Sequence, residues 1–231
     1  MTKIQRKKYM TLESSKNLGG IGAILLFVGA VGFLVEPLLA FAAIIGVILC
    51  LVALRGLADY YSERGIFNNA LWAFLAIIVG IIIAIAALAY LVVYTDILSQ
   101  FVQVLYPTWN GDWTTLPTTP QISPDNLNVS LIVPLLTPII EIYVLFCIFL
   151  VITGFFIWRS LKKVSAKANV GLFGTAGILL FIGAILSILF IGLILMWIAT
   201  LLMAIAFFQL RPRVEPPSTT MAPPALTPTP V

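Results

Sequence analysis

The segment LFGTAGILLFIGAILSILFIGLILMWIATLLMAIAFFQL, Leu172 to Leu210, carries no charged residue and is among the most apolar parts of the chain. Lipid offers no partner for unpaired backbone N–H and C=O groups, so an apolar run of this kind must be helical. One crossing of a hydrocarbon core takes about 20 helical residues, and this run is long enough for two. Its turn bears no polar marker, but an internal repeat locates it. GTAGILLFIGAI, Gly174 to Ile185, matches GIGAILLFVGAV, Gly20 to Val31, at an offset of 154. The first copy is followed by the turn Val35-Glu36-Pro37, and the same offset places the second turn near Phe190 to Gly192.

Working outward, four more apolar runs read as spans at 18–35, 37–54, 70–94 and 138–158. Pro37 suits a first turn because its missing N–H would have no partner there anyway. The sequence therefore predicts an all-α polytopic membrane protein of six transmembrane helices. Helices 1 and 2 repeat as helices 5 and 6 in the same orientation, a parallel hairpin repeat. The chain divides into a basic N-terminus (1–17), the six-helix domain (18–210) with one long loop (95–130), and a Pro/Thr-rich tail (211–231) that composition marks as disordered.

Composition agrees. The chain is 61% hydrophobic and 10% charged, with a mean hydropathy of +1.11. Soluble domains are roughly half apolar and a quarter charged. The net charge of +4 does not point to nucleic acid, because its cations flank apolar runs. Lys3, Arg6, Lys7, Lys8 and Lys16 precede helix 1, Arg55 and Arg64 follow helix 2, Arg159, Lys162, Lys163 and Lys167 follow helix 4, and Arg211 and Arg213 follow helix 6. Six crossings put every one on the same side, which the positive-inside rule makes the cytoplasm. Glu36, Asp96, Asp112 and Asp125 fall on the other side. Tyr60, Tyr61 and Trp158 fall near inner helix ends and Tyr90, Tyr94 and Tyr143 near outer ones, as interfacial anchoring expects. The basic start and Ala40-Phe41-Ala42 imitate a cleavable signal, but the run 18–35 is longer than a signal core and leads straight into another span. It reads as an uncleaved first helix in a multi-pass protein of the plasma membrane, with both termini cytoplasmic.

The loop opens with Ile97, Leu98, Phe101 and Leu105 at helical spacing, an extension of helix 3 along the interface. Trp109-Asn-Gly-Asp-Trp113 holds an Asn-Gly turn between two tryptophans, and the Thr/Pro-rich 116–125 reads as irregular. Asn128-Val129-Ser130 matches the N-glycosylation acceptor pattern.

Chemistry is sparse. The absence of histidine removes Ser-His-Asp and Cys-His catalysis and His-ligated metals. There is no Cys-x-x-Cys pair and no phosphate loop, and Gly20-Ile-Gly22 lacks the strand and third glycine of a nucleotide fingerprint. Cys50 and Cys147 read as small buried hydrophobes. The expectation is no enzyme and no cofactor or metal.

What remains are packing residues and a few charges. Gly22 and Gly29 lie two turns apart on one face, and Gly177 and Gly183 sit in the repeated helix. Small residues let backbones approach when lipid removes the hydrophobic drive, so helices 1 and 5 are each expected to make a close contact, with each other about a pseudo-twofold axis. Glu141 is the one charge inside a predicted span, where a carboxylate at the centre costs roughly 2.5–3.5 kcal/mol. Three residues after Pro138, it reads as first-turn, dipole-compatible and reachable by water. Arg55, Asp59 and Glu63 are spaced four apart, so a helix continuing out of the membrane would stack them as a charge ladder. Asn68 or Asn69 is placed to cap helix 3.

Three blocks carry a resemblance: LESSKNLGGIG (Leu12 to Gly22), ADYY (Ala58 to Tyr61) with IFNNAL (Ile66 to Leu71), and GLFGTAG (Gly171 to Gly177). Through them the chain resembles an archaeal membrane-protein family known as domain of unknown function 996. The resemblance implies an archaeal plasma membrane and attaches no activity or ligand. The residues themselves favour a structural or regulatory interaction protein whose partners are the bilayer and a second copy or another membrane protein. The alternative is a small transporter or channel using Glu141.

Overall fold

The computed structural model describes residues 11–32, 35–115, 118–119 and 129–212. The basic stretch 3–8, Asn128 and the tail from 213 lie outside them. The described residues form helices and no strand: α1 (Leu12–Gly32), α2 (Ala40–Tyr60, entered through a 3-10 turn at Pro37–Leu39), α3 (Arg64–Tyr94), α4 (Ile97–Leu105), α5 (Val129–Ala168), α6 (Gly171–Leu186) and α7 (Ile191–Phe208). All but α4, with α6 counted together with the 3-10 turn that carries it to Leu189, are long and apolar enough to cross a membrane. The protein is all-α with six candidate spans.

Neighbouring helices pack in a closed order, α1 on α2, α2 on α3, α3 on α5, α5 on α6, α6 on α7, and α7 back on α1. Small residues make these contacts close. A methyl group added at Gly22 would sit 2.9 Å from the Cys50 nitrogen and the Gly46 oxygen, and one at Gly29 would overlap the backbone of Ala43. The second hairpin repeats the arrangement, with Gly183 2.7 Å by the same construction from Met196 and 2.8 Å from the Gly192 oxygen. Gly177 instead faces Trp158 and Leu161 of α5. The small faces of α1 and α6 therefore do not meet each other: each packs on its own hairpin partner, and α6 also on α5. The expected mutual contact fails because α7 lies against α1, where Trp197 stacks on Phe27 at 4.5 Å and donates its indole N–H to the Phe27 carbonyl at 2.9 Å.

The second hairpin turns at Ser187–Leu189 and Phe190, beside the place the repeat predicts. Phe190 adopts φ 61, a left-handed conformation uncommon for a non-glycine residue. Its ring stacks on Tyr143 at 4.9 Å, and the Tyr143 hydroxyl donates to the Ser187 carbonyl at 2.5 Å, so α5 holds the turn. Gly192 follows because any Cβ there would collide with the Gly183 carbonyl and the Ser187 nitrogen.

Several helices outrun the lipid-length segments. α1 starts six residues before its expected start, α3 starts at Arg64 instead of 70, and α5 covers Val129–Ala168 where 138–158 was expected. At 1.5 Å per residue α5 is about 60 Å long, twice a hydrocarbon core. Neither Pro134 nor Pro138 ends it. Between α3 and α5 the Ser160 hydroxyl donates to the Ile66 carbonyl at 2.7 Å and Thr153 to that of Ala73 at 3.4 Å. The segment after α3 is a separate helix: Thr95 is extended, and α4 starts anew beyond Asp96. Next, Trp109 and Trp113 meet edge to face at 4.8 Å around Gly111, whose φ of 91 suits glycine. The Trp109 indole N–H donates to the Asp112 carbonyl, and the Asp112 carboxylate accepts from the Thr114 backbone N–H and hydroxyl. Those two bonds hold the Asp112 carboxyl below its ordinary pKa.

The packing is uneven along the bundle. Its largest fully buried side chains, Phe173, Phe207, Leu57, Ile66, Leu161, Leu210 and Val164, all belong to helix ends on the side that carries the described cations. Toward the opposite end Leu38, Ile85, Tyr94 and Phe190 are largely exposed, which in a bilayer means facing lipid or its interface.

Two outcomes test this arrangement. Gly29→Leu should lower stability in detergent by about 1–3 kcal/mol through overpacking, read as a lower unfolding midpoint, while Ala30→Leu on the exposed face of α1 should leave the midpoint unchanged. With Cys50 and Cys147 buried, single cysteines introduced as Asp112→Cys and Lys162→Cys should react with a membrane-impermeant maleimide from opposite sides of sealed vesicles. Labelling of both from one side would exclude six crossings.

Candidate functional site

The basic end gathers the polar chemistry. α2 stops at Tyr60 because Ser62 takes a left-handed φ of 52 and the Glu63 N–H reaches back to the Ala58 carbonyl at 2.9 Å, a helix-ending pattern that satisfies orphan carbonyls. The predicted ladder is therefore cut. Arg55 and Asp59 stay on α2, while Glu63 becomes the residue preceding α3. α3 starts early enough to enclose both asparagines, so neither caps it: the Asn69 amide donates to the Gly65 carbonyl at 2.6 Å.

Glu63 finds its partners a hundred residues away. Its carboxylate accepts from Lys163 Nζ at 3.1 Å and lies 3.7 Å from Lys167 Nζ. The hydrogen bond from Lys163, and then the charge of the same ammonium, hold the Glu63 carboxyl below the ordinary carboxylate range. This bridge ties the α2–α3 turn to the end of α5. Arg55 makes no such pair among the described residues; its guanidinium lies 5.6 Å from the ring centre of Phe67. Asp59 is exposed, and its carbonyl accepts from the Ser62 N–H.

Two recesses open here. One, of about 510 Å³, runs along α5 and is lined by Phe155, Trp158, Arg159, Lys162, Lys163 and Ala166. Arg159 lies over Phe155 at 5.6 Å and Lys162 over Trp158 at 5.5 Å, both within cation–π range. The other, of about 960 Å³, opens between the start of α1, the α5–α6 turn and the end of α7. Lys16 and Arg211 supply its charge, and Asn169, Thr175 and Gln209 its neutral polar groups.

Glu141 lies far from these groups. It was expected in the first turn of its helix, but α5 begins at Val129, so it stands in the fourth turn. The helix runs through both prolines, and the Thr137 hydroxyl bonds the Val133 carbonyl at 2.8 Å. Depth comes from Tyr143, two residues further on, which touches the α6–α7 turn at Ser187. Glu141 is therefore level with that turn or just beyond it, on an exposed surface at the end opposite the cations.

Sequence reasoning missed Lys163 and Lys167 as partners of Glu63, and Lys16 with Arg211 as the charges of one recess. No local spacing marks either set. The one available signal was that residues expected on the same membrane face, far apart in the chain, carry opposite charge.

Six apolar helices in a closed order, with charged groups at their ends, define a polytopic helical membrane protein. A family model described as "Protein of unknown function (DUF996)" matches residues 42–201, and the chain belongs to that family. The match begins inside α2, so the block Leu12 to Gly22 lies outside it. An uncharacterised protein of Methanocaldococcus jannaschii, MJ1644, is 29% identical over 201 residues, covering 87% of this chain and 94% of that protein. No solved structure matches the chain.

The Glu63 bridge gives a pH signature. A lowered folded-state pKa contributes stability that is complete above the ordinary carboxylate pKa of about 4.3 and is lost as pH falls through the lowered value. The unfolding midpoint of the wild type should exceed that of Glu63→Gln by a constant margin near neutrality. The margin should shrink only in acid below that range. A margin that disappears between pH 7 and 5 would show that the bridge does not form.

Proposed function

We propose that the protein is a structural or regulatory interaction protein of the plasma membrane, with both termini and the basic end in the cytoplasm, and that it is not an enzyme. The observation carrying this reading is the distribution of polarity. The buried polar side chains among the described residues are three serines, Ser15, Ser160 and Ser187. Ser160 and Ser187 donate to backbone carbonyls, at 2.7 Å in each case. The contacts between spans are made by Gly, Ala and apolar side chains, with a few hydroxyl and indole bonds to carbonyls. Selective pores use rings of carbonyls or charges at mid-membrane, and Glu141 is level with a helical turn at one end. Sorting of the cations supports the cytoplasmic placement, and the archaeal relative supports an archaeal membrane.

The basic end is then the working face, held rigid by the Glu63 bridge and the apolar plug beneath it. Reconstitution tests the reading. Proteoliposomes containing the full chain should show proton and monovalent-ion flux at the level of protein-free liposomes, and Glu141→Gln should not change it. In native membranes, a photo-crosslinker at position 162 should capture one stoichiometric partner, whether a second copy or another protein, and one at position 94 should not. A saturable flux removed by Glu141→Gln would overturn the proposal in favour of a carrier.

A further inference from the structure

We propose that the recess between α1, α6 and α7 is a binding site for a phosphate-bearing anion at the membrane surface. The proposal goes beyond the interaction reading: binding to purified protein can fail while the flux result stands, and the reverse.

The recess is open on one side, and its volume of about 960 Å³ lies within the roughly 300–1,000 Å³ range of small-molecule sites. Three parts of the chain build it, namely Lys16 on α1, the α5–α6 turn with Asn169 to Leu172, and the α7 end with Gln209 and Arg211. Its two charged lining residues are both cations, and neither forms an ion pair among the described residues. Lys16 is half-buried, and Glu13, one turn back on α1, is exposed and takes no part in the lining. Two cations sharing a cavity repel, and an anion between them relieves that repulsion. An arginine fork and a lysine point charge together suit a tetrahedral oxyanion bearing more than one charge. The Asn169 and Gln209 amides and the Thr175 hydroxyl supply further donors around the same space.

The shared chemistry is the phosphate group, and its two sources are the headgroup of an anionic phospholipid and a soluble phosphorylated molecule. Gly171 provides a control that leaves charge untouched. Gly171 lines the recess, and a Cβ there meets nothing within 4 Å, so Gly171→Leu adds bulk to its wall without a close contact at the Cβ.

The experiment titrates full-length protein, in an uncharged detergent, with inorganic pyrophosphate and separately with short-chain phosphatidylglycerol, using short-chain phosphatidylcholine as reference. Saturable binding of pyrophosphate or phosphatidylglycerol above the reference is expected. Binding by the lipid alone identifies a headgroup site, by pyrophosphate alone a soluble ligand, and by both a site that reads phosphate itself. Lys16→Gln and Arg211→Gln should each weaken binding about tenfold or more, as loss of a charge-assisted hydrogen bond does. Gly171→Leu should abolish it. The double variant Arg159→Gln, Lys162→Gln removes one arginine and one lysine charge from the other recess and should bind as the wild type does. The proposal is overturned if neither probe binds, if binding survives Gly171→Leu, or if the Arg159/Lys162 variant loses as much affinity as the Lys16 and Arg211 variants.

Discussion

Hydrocarbon cannot solvate a backbone N–H, a backbone carbonyl or a charge, and the rest of the structure depends on that. Helices satisfy the backbone internally, which leaves association between them to close packing and a few side-chain bonds. Gly22, Gly29 and Gly46 bring α1 and α2 together, and Gly183 and Gly192 do the same for α6 and α7. Three polar bonds that cross between helices among the described residues share one form: a hydroxyl or indole donates to a backbone carbonyl of another helix or of its turn. Trp197 to Phe27, Tyr143 to Ser187 and Ser160 to Ile66 all follow it. Each consumes a donor that would otherwise be stranded in lipid and exposes no new one.

The same constraint explains what the sequence made legible. Hydropathy reports where the chain meets lipid, so the existence, number and pairing of six apolar segments could be read, as could the turn near Phe190. It does not report where a helix stops. α3 and α5 continue past the lipid-length segments because nothing at 64–69 or 129–137 breaks a helix with enough force, not even Pro134 and Pro138. That error propagated to Glu141, which kept its place near the surface but lost its place in the first turn. The charge ladder failed for the converse reason. Four-residue spacing reads as a stack only if the helix continues, and Ser62 ends it. Residues such as Lys16 and Arg211 meet through tertiary packing, and no spacing along the chain encodes that.

The internal repeat shows how far sequence similarity carries into packing. Gly29 and Gly183 occupy matching positions and do matching work, each admitting the second helix of its hairpin. Their neighbours Ala30 and Ala184 also match, yet Ala184 is buried against Gly154 of α5 while Ala30 is exposed. The difference lies outside the repeat: α5 packs along α6 over Ala184, whereas α7, which stacks Trp197 on Phe27 beside α1, leaves Ala30 uncovered. The hairpin is thus the conserved physical unit within this chain, and the surroundings of each copy are set by what is connected to it.

The largest buried side chains lie at the charged end, and a physical reason connects the two. Cations and their carboxylate partner need water, so they must sit where the chain leaves the bilayer, and there lipid no longer confines the helices. Something else must fix their ends. Phe173, Phe207, Leu57, Ile66 and Leu161 do so by filling the space between α2, α3, α5, α6 and α7, and the Glu63 bridge to Lys163 locks the turn above them. The opposite end has less need of such a plug, since its side chains find partners in lipid and its turn is held by Tyr143. For the anion site proposed above, a packed frame beneath the cations serves to limit their separations, which is what discrimination between anions of different shape requires. A flexible cluster of the same net charge would attract anions without distinguishing them.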